Sequence, residues 1–184
     1  MFARLRRARP DGDIASALYG AIVAQARVPE LYTELAVPDT VEGRFEMVVV
    51  HQALVIRRLE RGDEATRTIG QGVFDVFCRE MDDALRALGV KDTSVAKRMR
   101  KVAEAYYGRA AGYESAIARG DAATLAATLD RTVYGEAGGV APRALAAYMI
   151  ASDQALAATA TERVTAGEIA WPPVDAKPPA GANA

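Results

Sequence analysis

The sequence predicts an all-α protein, a single-domain bundle of about six to seven helices arranged around a long central one. Three observations carry that expectation. Prolines stand at positions 10, 29, 38 and 142 and then only from 172 onward, so residues 39–141 contain nothing that must break a helix. Apolar residues recur at helical spacing, and no stretch alternates with period two for long enough to argue a sheet. The length of 184 residues with 51% hydrophobic content is enough to bury one core.

Taken in order, residues 1–12 form a basic N-terminal segment, 13–170 the helical domain and 171–184 a Pro/Ala-rich tail, loose beyond its first residues. The first helix is expected over 13–27, opened by Asp11 or Asp13, and the second over 29–36, where Pro29 sits in the tolerated first turn. A third over 40–61 is closed by Gly62 and a fourth over 64–88 by Gly89. A fifth over 93–119, capped by Asp92 or Thr93 and stopped by Gly120, leads to helices over 121–134 and 142–166.

Helical phase sorts these segments into faces. On the fourth helix Phe74, Phe77, Met81, Leu85 and Leu88 form a core stripe opposite Asp75, Arg79, Asp82 and Arg86, with Cys78 beside the stripe as a small buried hydrophobe. The third helix is apolar over much of its circumference, with Val41, Phe45, Val48, Gln52, Ile56 and Leu59 on one side and Met47, Leu54 and Val55 spreading round it. That pattern marks the central helix. Gln52 lies within the stripe and therefore needs a polar partner from another helix. His51 lies beside it with Arg44 and Arg58 two turns away in either direction, and no carboxylate near in sequence to orient it as a base. On the fifth helix Val95, Met99, Val102, Tyr106, Tyr113 and Ile117 point inward, whereas Lys97, Arg100, Lys101 and Glu104 point away. The adjacent tyrosines therefore separate, Tyr106 into the core and Tyr107 onto the flank near Arg100 and Ala111, with Gly108 and Ser115 leaving low ground among the charges.

Composition excludes several function classes. A formal net charge of −1 gives no global pull toward nucleic acid. One cysteine and one histidine provide neither an internal disulfide nor a zinc ligand set, and no phosphate-binding, metalloprotease or nucleophile motif occurs, so no enzyme, metal or cofactor is expected. The most apolar run, Met47 to Ile56, is far shorter than a membrane span. The start, MFARLRRARP, lacks the apolar stretch of a secretory signal, which predicts a cytoplasmic location. Its Phe2 and Leu5 among Arg4, Arg6, Arg7 and Arg9 suit a weak tether to an anionic leaflet, peripheral on the inner face of the cytoplasmic membrane.

Longer strings add a resemblance that spans Leu18 to Pro173. They are LYGAIVAQARVPELYTELAVPDTVEGRFEMVVVHQALVIRRL, then FDVFCREMDDALRALGV followed at fixed spacing by VAKRMRKVAEAYYGRAAGYESAI, and finally GEIAWPP. In order and spacing these resemble the ubiquinol-cytochrome c chaperone family, whose mitochondrial members help assemble cytochrome b into respiratory complex III. The resemblance implies a non-enzymatic helper whose client is cytochrome b or another subunit of ubiquinol-cytochrome c reductase. No long mitochondrial targeting extension precedes the matching region, and the alanine- and arginine-rich, lysine-poor composition looks bacterial, so the resemblance leaves open the companion subunit and the ribosome known as partners of mitochondrial members. A client surface should combine shallow apolar ground with cations. Lys97, Arg100, Lys101 and Tyr107 form the first candidate, and Arg44, His51 and Arg58 the second. The alternative is a helical lipid or hydrophobic small-molecule binder, which would show a closed apolar pocket between helices.

Overall fold

A computed structural model describes residues 11–175. Eight helices are present among them: α1 (Asp11–Ala26), α2 (Glu30–Thr33), α3 (Val41–Glu60), α4 (Glu64–Ala87), α5 (Asp92–Ala118), α6 (Ala122–Val133), α7 (Ala141–Ala158) and α8 (Thr161–Thr165). No strand occurs among the described residues.

Local chemistry sets most boundaries. The side chains of Thr40, Asp63 and Asp121 cap α3, α4 and α6 by accepting from the amides of Gly43, Thr66 and Thr124 at 3.1, 3.0 and 2.9 Å. At α5 the expected cap fails. Asp92 lies inside the first turn, where its carboxylate meets Arg86, and Lys91 precedes the helix without a side-chain cap. Helix α2 is shorter than expected because Ala36 adopts φ 51° and the Val37 amide reaches back to the Leu31 carbonyl at 3.2 Å, closing the helix end before Pro38.

The expected last helix is two. Thr159 turns extended between α7 and α8, and Arg58 from α3 fills the break, its guanidinium donating to the carbonyls of Leu156 and Thr159 and to the Thr161 hydroxyl at 2.9, 3.1 and 3.1 Å. A tertiary side chain thus replaces the hydrogen bonds that a continuous helix would have supplied. After α8 the chain turns at Gly167, φ 78°, and runs back over α1 as an extended strap whose Ile169, Trp171 and Val174 pack on the core.

Helix α3 is the centre, touching α1, α4, α5, α6 and α7, and twelve of its twenty residues are buried. The longest helix is α5, on the flank. Both stripes fray at their ends. Val41 and Leu88 are each 80% exposed, because one opens α3 and the other follows α4 past the edge of the core.

Gln52 contradicts the expected interhelical polar contact: it is fully buried, and neither atom of its amide has a partner among the described residues. The polar ties between helices lie elsewhere. Glu46 of α3, 5% exposed, takes Arg109 of α5 in a two-pronged pair at 2.6 and 2.5 Å. Arg57 of α3 binds Asp153 of α7 at 2.9 Å and also meets Glu114 of α5. Cys78 packs against the core, where burial holds its thiol above the usual value.

Candidate functional site

An open groove of about 630 Å³ runs between α3, α4 and α5. Its floor is apolar, with Ala53 and Ile56 from α3, Gly70 and Phe74 from α4, and Tyr106, Tyr107, Ala110 and Ala111 from α5. Arg57, Glu60, Arg67 and Glu114 carry charge along its edges.

The aromatic floor follows from placing adjacent tyrosines on one helix beside the phenylalanine stripe of another. The Phe74 ring lies 4.9 Å from Tyr106 and 5.1 Å from Tyr107, and Tyr106 also reaches Phe77 at 5.8 Å. Tyr106 is 3% exposed and Tyr107 56%, so one anchors the groove and the other forms its rim. Burial raises the Tyr106 phenol well above its ordinary value, so the ring presents a neutral hydroxyl to the groove. Small side chains at Ala53, Ala110 and Ala111 keep the groove open enough for an incoming apolar segment to reach the rings.

The basic residues of α5 divide around this groove. Arg100 lies two turns before Tyr107 and shares its helical face, continuing the α5 wall. Lys101 faces away from it, and Lys97, fourteen residues before Ala111, stands at the edge of the α5 wall. All three are exposed, and their side chains form no ion pair or hydrogen bond among the described residues.

Arg44, His51 and Arg58 do not form one patch. Arg44 is exposed and pairs with Asp39 at 2.6 Å. Arg58 is occupied with the α7–α8 break. His51 is fully buried. Its Nδ1 lies 2.7 Å from the Met47 carbonyl, which only accepts, so Nδ1 carries the proton and Nε2 accepts from the Tyr148 hydroxyl at 2.9 Å. Gln25 donates to that hydroxyl at 3.0 Å, and Trp171 covers the imidazole edge-on at 5.1 Å. Burial lowers the His51 pKa to about 4, so the ring is neutral and structural, and no surface contact is open to it.

Sequence reasoning missed Ile56 and Phe74 as groove residues because it assigned both to core stripes. The signal was their breadth, since α3 and α4 are apolar over more than one neighbour can cover. Phe2, Arg4, Leu5, Arg6, Arg7 and Arg9 lie outside the described residues. Among the described residues no group of histidine, cysteine and carboxylate side chains could hold a metal ion, and no helix is long and apolar enough to cross a membrane.

Comparison with known proteins places these features in context. Residues 33–171 match the sequence model of the family described as Ubiquinol-cytochrome C chaperone. No curated protein sequence matches the chain. Among solved structures, the Cbp3 homolog from Brucella abortus superposes with a TM-score of 0.80 at 34% identity, covering 89% of this chain and 91% of that one. The matched span takes in α3, α4 and α5 whole, and with them every residue of the groove.

Proposed function

The chain belongs to the ubiquinol-cytochrome c chaperone family, and from that premise we propose that it holds a newly made subunit of ubiquinol-cytochrome c reductase, cytochrome b first among the candidates, during assembly, without catalysing a reaction. The observation that supports this most is the open groove between α3, α4 and α5, whose aromatic floor is accessible although the molecule has a complete core beneath it.

A chaperone for a membrane subunit must cover apolar surface and then release it. A large exposed apolar patch would make the helper itself aggregate, whereas a shallow groove edged by charge limits the affinity. Tyr107 supplies a rigid ring with a polar tip, suited to an interface that forms and breaks. Arg100 and Arg67 extend the site toward polar or acidic segments that flank an apolar stretch of the client. Lys101 lies off this face and Lys97 stands at its edge, while His51 and Arg58 serve the fold. Arg44 remains a surface residue apart from the groove, with Asp39 as its partner. An open groove suits a polypeptide better than it suits an enclosed lipid.

The test is genetic and biochemical. Cells lacking the chain are expected to lose assembled cytochrome b and ubiquinol-cytochrome c reductase activity from their membranes, and the intact chain to restore both. Substituting Ala111→Arg, which places a long cation on the groove wall, should fail to restore them although the purified variant melts like the parent. Normal assembly with Ala111→Arg would remove the groove from the account. Normal assembly without the chain would remove the function.

A further inference from the structure

The α4–α5 hairpin reaches beyond the core as a two-helix arm. Between Asp83 and Ser94 every residue is exposed except Leu85 and Val90, which are half-buried. The arm has an apolar contact of its own, since Val95 is 2% exposed yet stands outside the main core cluster. Helix α5, at 27 residues, runs about 40 Å, and the arm includes its first turns.

Two features distinguish the arm's outer side. At its tip Leu88 is 80% exposed, the same as the most exposed of the large apolar residues elsewhere. Along the face of α5 turned from the groove, Ser94, Arg98 and Lys101 follow one another at helical spacing, with Lys97 at the edge of that face and Lys91 at the turn before it. Residues 91–101 carry five cations against one acid in a chain whose formal net charge is −1. That acid, Asp92, is engaged by Arg86, which also holds Asp82 at 2.5 Å. The side chains of Lys91, Lys97, Arg98 and Lys101 have no ion pair or hydrogen bond among the described residues. Of the neighbouring acids, Glu80 and Asp83 are on α4, and Glu104 follows Lys101 one turn further along α5.

We propose that this arm is a membrane-contact element, with Leu88 entering the interface of an anionic bilayer and Lys91, Lys97, Arg98 and Lys101 facing its lipid headgroups. Charge complementarity selects the occupant. An anionic bilayer accepts a line of unpaired cations and an isolated apolar tip together, whereas a nucleic acid would use the cations and leave Leu88 without a role, with no aromatic side chain on this face to stack on bases. The groove lies on the other side of α5, so the arm can rest on the bilayer with the groove uncovered. The proposal depends on no client.

Flotation of the purified full chain on vesicles tests it. Binding is expected to phosphatidylcholine vesicles containing phosphatidylglycerol, to be absent with phosphatidylcholine alone and to be reversed by salt. With each basic residue near an anionic surface contributing about fivefold, the variant Lys97→Glu, Arg98→Glu, Lys101→Glu should bind at least tenfold more weakly, and Leu88→Ser should weaken binding several-fold. All these residues are exposed, and an unchanged melting curve identifies variants that remain folded. A chain lacking residues 1–9 serves as comparison and should retain most of the binding. Equal binding by the charge-reversed variant would overturn the proposal, as would loss of flotation only on removing residues 1–9. Binding of RNA without flotation on anionic vesicles would also overturn it and assign the face to nucleic acid.

Discussion

Gln52 carries two buried polar atoms with no partner among the described residues, in the middle of the most buried helix. A buried unsatisfied amide costs about 1–3 kcal/mol, so Gln52→Leu should raise the unfolding free energy by about that much and move the denaturant midpoint upward. A drop would show that the amide is satisfied by water. His51 has the opposite character, with both ring nitrogens bonded in the neutral form. Its folded pKa of about 4 lies below the ordinary 6.5, so the unfolded chain binds the extra proton first as pH falls. The stability tied to the neutral ring is complete above about pH 6.5 and is lost toward pH 4, up to ~3 kcal/mol. Melting temperatures across that window should decline in the parent chain, and His51→Phe should flatten the decline. The lowered carboxyls of Asp63 and Asp121 act further down the scale, whereas burial raises the Glu46 carboxyl, which takes up its proton within this window and offsets part of the decline that His51 causes. For the tyrosine pair, Tyr106→Ala should cost about 3–5 kcal/mol and Tyr107→Ala under about 1 kcal/mol, since one ring is core and the other rim.

Elements are where the reading from sequence succeeds and fails most visibly. The bounds of α3, α4 and α6 fall within a residue of expectation because Thr40, Asp63 and Asp121 act through amides three residues away, information that is local. The break between α7 and α8 was illegible, because Arg58, about one hundred residues earlier, supplies the bonds that stabilise it. Trp171 was assigned to the tail for the same reason, since its partner His51 is remote in sequence. Two element-level changes test the packing. A Cβ at Gly43 would press into the Pro38 carbonyl oxygen, so Gly43→Ala should destabilise the molecule by about 1–3 kcal/mol despite better helix propensity. Arg109→Ala strands the buried Glu46 carboxylate and should cost about 3–5 kcal/mol, whereas Glu46→Gln with Arg109→Met should recover much of that loss in chemical denaturation.

At the scale of the whole molecule, α3 serves as the shared floor beneath two groups of helices, α1 with α4 on one side and α6 with α7 on the other, and α5 closes only part of the flank. The groove is what that partial closure leaves. Tyr107 was legible as a rim residue because its neighbour Tyr106 takes the inward phase, but the groove itself was not, since it depends on how far α5 stands from α3 and α4. The proposed arrangement sets a client seat on one side of α5 and a membrane-facing arm on the other. The seat is tested most directly by placing a photoactivatable phenylalanine analogue at Tyr107 and, as a control, at Val41, another exposed position that does not line the groove. Illumination of growing cells is expected to join the Tyr107 position to cytochrome b or another subunit of ubiquinol-cytochrome c reductase, with no such product from Val41. Cross-links to that subunit from Val41 and none from Tyr107, in a chain that still supports assembly, would contradict the account.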